Sequence, residues 1–347
     1  MKLTRIAGLG LAATLALTAV GCSSPGSGGG GDGDVPASIT MVESGGTSGE
    51  SIKEAYGVPF TKATGVKLVQ ETPTDLGKLE AMVKSGNVTA DLLELGGASV
   101  QMAIERDLIE KLDWDDIDPD PMNPESKLEY AFGYQTFALY MGARADAKPV
   151  TTWAEFFDTD RQPGKRAIPA YSTYALPIAL LADGVKPEDL YPLDVDRALA
   201  FLETVADDLL LWEAASQTPQ MLESNEAVYA ATWDNVRVAD GFQVSYDNAV
   251  REMSFFVIPK GAKHVKQANQ LLHEMSKVEN QAVSAELLPI AGPSPDLMSK
   301  LSPEIVAEMP AAPEFADTQA TYDYQWWADN AAEVGERWAA FKLEKLG

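Results

Sequence analysis

The chain contains two histidines, His264 and His273, and one cysteine, Cys22, and that scarcity limits the chemistry open to it. Nine residues separate the histidines, and at about 100° per residue a helix would turn them to opposite faces, so no shared metal ion is expected. No phosphate-binding loop, dinucleotide fingerprint or HExxH zinc motif occurs. Gly45-Gly46-Thr47-Ser48-Gly49 has the spacing of a nucleophile elbow, but threonine stands where serine is required and neither histidine has any signal of being its base. Carboxylates and aromatic rings remain. Carboxylates can pair with ammonium groups and ring faces can cover methylenes and charge, the contacts an organic cation would need. No enzyme activity, cofactor or metal is expected.

The candidate ligand residues are grouped by where they fall relative to strands. Trp233 and Asp234 follow the apolar run Val228 to Thr232, which places them at the carboxyl end of a strand, where open α/β sheets hold ligands. A packed tryptophan beside a helix-capping aspartate is the competing reading. Tyr246 and Asp247 form a second aromatic–acid pair, for which a solvated turn is the alternative. Glu43, Ser44 and Gly45 lie in the loop after the first strand and suit a contact from the opposite side of a cleft, or a plain surface loop. Tyr134 and Tyr171-Ser172-Thr173 sit near expected strand ends, where packing in the core or at a rim serves an isolated tyrosine as well. Trp212, with Ser216 and Gln217 behind it, is held as a further candidate. Trp327 and Trp338 share a helix face beside Trp326 and are read as pinning the last helix to the first of two lobes.

The elements that must position these residues alternate. Ser38 to Val42 reads as a strand, Ser51 to about Ala63 as a helix stopped at Gly65, and Val66 to Glu71 as the next strand. Leu76, Leu79, Met82 and Val83 recur at helical spacing up to Gly86-Asn87, and Ala90 to Leu95 forms a third strand closed by Gly96-Gly97. Further on, an amphipathic helix starts after Asp194, Pro219 suits the first turn of another, and Met253 to Ile258 is a late strand. Val265 to Val278 makes one helical stripe and Trp326 to Leu343 the last helix. Strands separated by helices imply parallel β-α-β units with right-handed crossovers. The expectation is an α/β fold of two lobes, each a mainly parallel sheet flanked by helices. Residues 37–140 and 260–347 would form lobe 1 and residues 141–259 lobe 2, with crossings near 138–145 and 253–262.

The N-terminus specifies a compartment. Lys2 and Arg5 precede an apolar stretch from Ile6 to Val20, too short and wrongly flanked for a stable span, which reads as a signal peptide over residues 1–21. It ends in Ala19-Val20-Gly21-Cys22, similar to a bacterial lipobox, so Cys22 is expected to carry lipid and to anchor the protein outside the cytoplasm, on the outer face of a one-membrane cell or the periplasmic side where there are two. Residues 22–36, rich in glycine and serine, cannot bury a core and read as a flexible tether. The formal charge of −25 keeps such a surface soluble and disfavours nucleic acid.

From Thr151 onward the chain resembles bacterial extracellular solute-binding proteins of the spermidine/putrescine type. The resemblance rests on Thr152-Trp153-Ala154-Glu155-Phe156-Phe157-Asp158, Pro163-Gly164-Lys165-Arg166-Ala167 and Ala179-Leu180-Leu181-Ala182-Asp183-Gly184-Val185. It continues through Leu190 to Ala198, Val257-Ile258-Pro259-Lys260-Gly261-Ala262, Trp326-Trp327-Ala328-Asp329-Asn330 and Glu336-Arg337-Trp338. Trp233-Asp234-Asn235-Val236-Arg237 stands where family members often carry Trp-Asn-Gly-Arg, and Tyr246-Asp247-Asn248-Ala249 where they carry Trp-Asn-Gln-Ala. The resemblance implies a hinged, two-lobed, periplasmic-binding-protein-like fold of class II. It implies a monomer that closes on a small cationic, polyamine-like solute and delivers it to an ABC permease. An amino acid, an opine or an anionic or sugar-phosphate solute is the alternative on the same scaffold, and a secreted hydrolase or a non-transport sensor the alternative role.

Overall fold

The computed structural model describes residues 35–233 and 236–346. Strand β1 (Ser38–Val42) leads into a turn at Gly45 and Gly46, whose φ values of 84° and 61° favour glycine. Helix α1 (Gly46–Ile52) runs through a π-helical turn at Lys53–Gly57 into α2 (Val58–Thr64), which Gly65 ends in the left-handed conformation. Strand β2 (Lys67–Glu71), helix α3 (Leu76–Ser85), strand β3 (Leu92–Gly96) and helix α4 (Gly97–Glu105) follow. β1 pairs in parallel with both β2 and β3, as the alternation of elements predicts. After the short α5 (Trp114–Ile117) comes β4 (Phe132–Ala143).

A second parallel set is built from α6 (Trp153–Phe157), β5 (Arg166–Pro169), α7 (Ser172–Ala182), α8 (Val195–Thr204), β6 (Leu209–Trp212), α9 (Thr218–Glu223) and β7 (Tyr229–Thr232). Here β5 pairs in parallel with β6 and β7. Asp194 caps α8 by accepting the Arg197 N–H at 3.0 Å, and Pro219 occupies the first turn of α9. The chain returns along β8 (Gln243–Val257) and continues through α10 (Val265–Ser276), α11 (Val278–Leu287), α12 (Pro303–Ala307), β9 (Ala320–Thr321) and α13 (Tyr324–Phe341).

Among the described residues nine strands form one mixed sheet, ordered β2-β1-β3-β8-β4-β7-β5-β6 with β9 beside β8. The parallel sets lie at its two ends, and the antiparallel pair β4–β8 joins them. The crossings are therefore longer than the sequence suggests. β4 begins at Phe132 and β8 at Gln243, well before the strand expected from Met253. β4 is buried along most of both faces, so it shows no alternation that would mark it as a strand.

Two sets of core follow this division. Phe132 and Tyr134 at the start of β4 and Phe255 to Ile258 at the end of β8 pack with β1, β3, α2 and α10. Leu139, Met141 and Ala143 at the end of β4, with Val250 of β8, pack with β5, α7, α8 and β7. Helix α13 departs from expectation. Trp327, Val334, Trp338 and Phe341 enter the second core, while Tyr324 at its start touches the first. The Trp338 indole donates to the Ala170 carbonyl at 2.7 Å and that of Trp327 to the Tyr191 hydroxyl at 2.7 Å, so the tryptophans pin the helix to the second lobe. Spacing on a helix fixes a shared face and carries no information about which lobe meets it. Trp338→Ala should lower stability by about 3–5 kcal/mol, checked by urea denaturation against the parent protein.

Candidate functional site

The carboxyl ends of β1, β3, β6 and β7 open onto one cleft of about 480 Å³. From the first lobe it is lined by the loop and helix start Ser44 to Ser48 and by Glu94 of β3; from the second by Tyr174 of α7, Ala215, Ser216 and Trp233. Gln135 and Phe137 of β4 and Ser254 of β8, the two strands that cross between the lobes, form its floor with Ile290.

Glu94 is the charged group among the described lining residues. It is only 5 % exposed, so its carboxylate needs partners. Oε2 accepts from the Ser44 N–H at 2.8 Å and from the Ser44 hydroxyl at 2.9 Å, and Oε1 from the Tyr134 hydroxyl at 2.8 Å. Burial and the neighbouring Glu94 charge hold the Tyr134 hydroxyl well above the usual tyrosine range. Glu43 lies under the same loop rather than in the cleft. It is buried, accepts from the Gly45 N–H, and sits where a side chain at Gly49 would collide with it. Desolvation first, and the Glu94 charge after it, raise its affinity for a proton.

Across the cleft Trp233 stands just past β7, as the strand-end argument predicts. Its ring lies 5.0 Å from Tyr174, 4.8 Å from Trp212 and 6.3 Å from Phe137. Three rings thus fix the plane that Trp233 offers.

Of the residues expected at the site, Ser44, Gly45 and Trp233 line the cleft, and Glu43 and Tyr134 support it from behind. Asp234 lies outside the described residues, as does Cys22. The others are elsewhere. Trp212 is fully buried, its indole donating to the Ala231 carbonyl at 3.0 Å, because β6 continues inward under Trp233. The Gln217 side chain accepts the Glu213 and Ala214 N–H groups and so closes its own loop. Tyr171 is exposed and donates to the Glu213 carbonyl at 2.6 Å, and Ser172 opens α7 without lining the cleft. Tyr246 and Asp247 are within β8, not a turn, and the Tyr246 ring packs on Tyr140 and Phe315 while its hydroxyl donates to the Glu308 carbonyl at 3.2 Å.

Sequence reasoning missed Glu94 and Tyr174. A charged residue inside the otherwise apolar run Leu92 to Leu95 was the signal for the first. Tyr174 carries none, since it differs from Tyr171 only by standing one turn further along a helix. Behind it lies Glu252 of β8, whose Oε2 accepts from the Tyr174 hydroxyl at 2.7 Å.

The bacterial extracellular solute-binding protein family matches residues 55–317. The chain belongs to that family. It is similar to the gamma-aminobutyric acid-binding protein of Pseudomonas aeruginosa, 29% identical over 322 residues, which cover 87% of this chain and 91% of that protein. The solved Atu4243–GABA receptor is 30% identical with a TM-score of 0.82, over 88% of this chain and 98% of that one. An ABC transporter substrate-binding protein from Bradyrhizobium japonicum is 28% identical with a TM-score of 0.83, over 88% and 99%. The fold is the two-lobed, periplasmic-binding-protein-like α/β fold, and the protein is a solute-binding component of an ABC transporter, not an enzyme. Its partners are a small solute and the ABC permease. Among the described residues no helix is long and apolar enough to cross a membrane.

In this solute-binding protein Glu252 makes stability depend on pH. Burial raises its pKa from 4.5 to about 7, the Tyr174 hydrogen bond opposing the shift. A raised carboxyl contributes stability that is fully present below the unfolded value and is lost as pH rises through the folded one. Glu252→Gln removes that loss. Urea midpoints should show the variant gaining on the parent protein between pH 5 and pH 8, by up to about 3 kcal/mol.

Proposed function

We propose that this protein captures a small amino acid whose ammonium and carboxylate groups are separated by a short chain, as in γ-aminobutyrate, and delivers it to its permease. One observation supports this over a polyamine. Glu94 is the only carboxylate among the described residues lining the cleft, and the neutral donors Thr47, Ser48, Gln135, Ser216 and Ser254 make up most of its polar remainder. A diamine or triamine needs an acid for each ammonium group it desolvates. The Tyr246–Asp247 pair is no such acid, being on β8 away from the lining. An ω-amino acid needs one carboxylate at its amine end, ring faces along its methylenes and neutral donors for its own carboxylate.

In this reading the ammonium group pairs with Glu94, and Tyr174 and Trp233 cover the chain. The carboxylate is taken by hydroxyl and amide donors such as Gln135 and Ser216. Contacts from both lobes favour the closed form, which the permease distinguishes. Two names given to similar proteins point the same way, since both the Pseudomonas relative and the Atu4243 receptor are named for γ-aminobutyrate. The protein works outside the cytoplasm, on a tether lipidated at Cys22.

Calorimetric titration with γ-aminobutyrate, putrescine and spermidine tests the solute. Binding of γ-aminobutyrate should weaken at least about ten-fold, or 1.4 kcal/mol, in both Glu94→Gln and Trp233→Ala. Unchanged affinity in both variants, or tighter binding of the polyamines, sinks the assignment. Fractionation tests the anchor: the parent chain should sediment with membranes and incorporate radiolabelled palmitate, and Cys22→Ser should be soluble and unlabelled.

A further inference from the structure

Glu252 occupies the seam between the lobes. It lies on β8 opposite Phe137 of β4, at the step where both strands pass from one core to the other. A side chain at Gly96 would come within 3.1 Å of its Oε1, while its Oε2 holds the Tyr174 hydroxyl at 2.7 Å. The carboxyl thus touches the β3–α4 junction of the first lobe on one side and α7 of the second on the other. Around it stand Tyr174 from α7, Tyr191 from the segment before α8, Tyr322 from the link between β9 and α13, and Tyr324 from the start of α13. Arg251 adjoins it on β8, Asp323 faces Tyr191, and Glu125 borders the same small cavity; β3 and α4 present glycine backbone. The Tyr322 hydroxyl donates to the Thr173 carbonyl at 2.9 Å, so the tyrosine next to Tyr174 is itself tied to the segment that carries it.

Tyr174 is the link to function. Its ring lines the cleft beside Trp233, and its hydroxyl ends on Glu252. We infer that Glu252 is a positioning residue for solute capture: it fixes the Tyr174 ring in the cleft wall, and its ionisation strengthens the hold on an ammonium-bearing solute. This rests on the amino-acid reading of the cleft given above. An ionised carboxylate accepts the tyrosine proton in a charge-assisted bond, roughly twice as strong as the neutral one. It also adds negative potential to a site where low dielectric screens little. By linkage a bound ammonium group favours the ionised form, so solute uptake on the acid side of the transition releases a proton from Glu252. Burial brings that transition from the ordinary carboxylate range to about 7.

Two measurements on the full folded protein decide the matter. The first needs no solute: the ring carbon of Tyr174 bearing its hydroxyl, assigned by its loss in Tyr174→Phe, is followed by NMR from about pH 5.5 to about pH 8.5. It should shift with a midpoint near neutrality in the parent protein and stay still in Glu252→Gln. A stationary signal in the parent, or the same shift in both proteins, overturns the inference. The second is the dissociation constant for γ-aminobutyrate, expected to tighten about three- to ten-fold across that range in the parent and to stay flat in Glu252→Gln. Equal slopes overturn the inference. A parent protein that binds no γ-aminobutyrate overturns the solute reading instead, and the tyrosine signal still judges the role of Glu252.

Discussion

Backbone pairing between β4 and β8 ties the two lobes together, and the geometry of the cleft depends on it. The register runs from Phe132 opposite Phe256 to Ala143 opposite Gln243, with irregularities between Gly133 and Gln135 and between Leu139 and Met141. Shifts of this kind increase local twist and re-aim side chains, and here they flank the stretch that supplies Gln135 and Phe137 to the cleft floor. Backbone hydrogen bonds on both sides of these irregularities tie the two strands together from one lobe to the other. The parallel sets on either side then aim their carboxyl ends at the same space.

Among the described residues, the charges at and behind that space are few and have buried surroundings. Glu94 faces the cleft, Glu43 lies under its loop and Glu252 behind its ring wall, each held by hydrogen bonds from backbone or tyrosine. Low dielectric makes such groups weigh more than the many acids on the surface. The net charge of −25 therefore says little about the solute, whereas the position of one carboxylate says much.

The legible parts of the site were those decided by local rules. Trp233 follows a short apolar strand and Ser44-Gly45 follows another, so strand-end logic finds them. The same logic points to Tyr171, which turns out to solvent, while Trp212, a candidate on the family resemblance, is buried under Trp233. Which ring of a cluster faces the opening depends on how sheet and helices stack. Tyr246 and Asp247, an aromatic–acid pair that suits a ligand contact or a turn in the sequence, belong instead to a long strand that runs well before its apolar end, so its start carries no clear strand signal.

By itself the sequence determined the alternation of strands and helices, the parallel pairing that this alternation forces, the caps at Gly65, Gly86 and Asp194, and the absence of motifs for catalysis. These follow from dihedral preferences and periodicity, which act within a few residues. Only the tertiary structure decided that α13 closes on the second core, that among the described residues Glu94 and not Asp247 is the acid lining the cleft, and that Glu252 meets Tyr174 across the seam. Such outcomes arise between residues 78 positions apart, as in the last pair, where packing of whole elements sets distance and burial. No local preference encodes them.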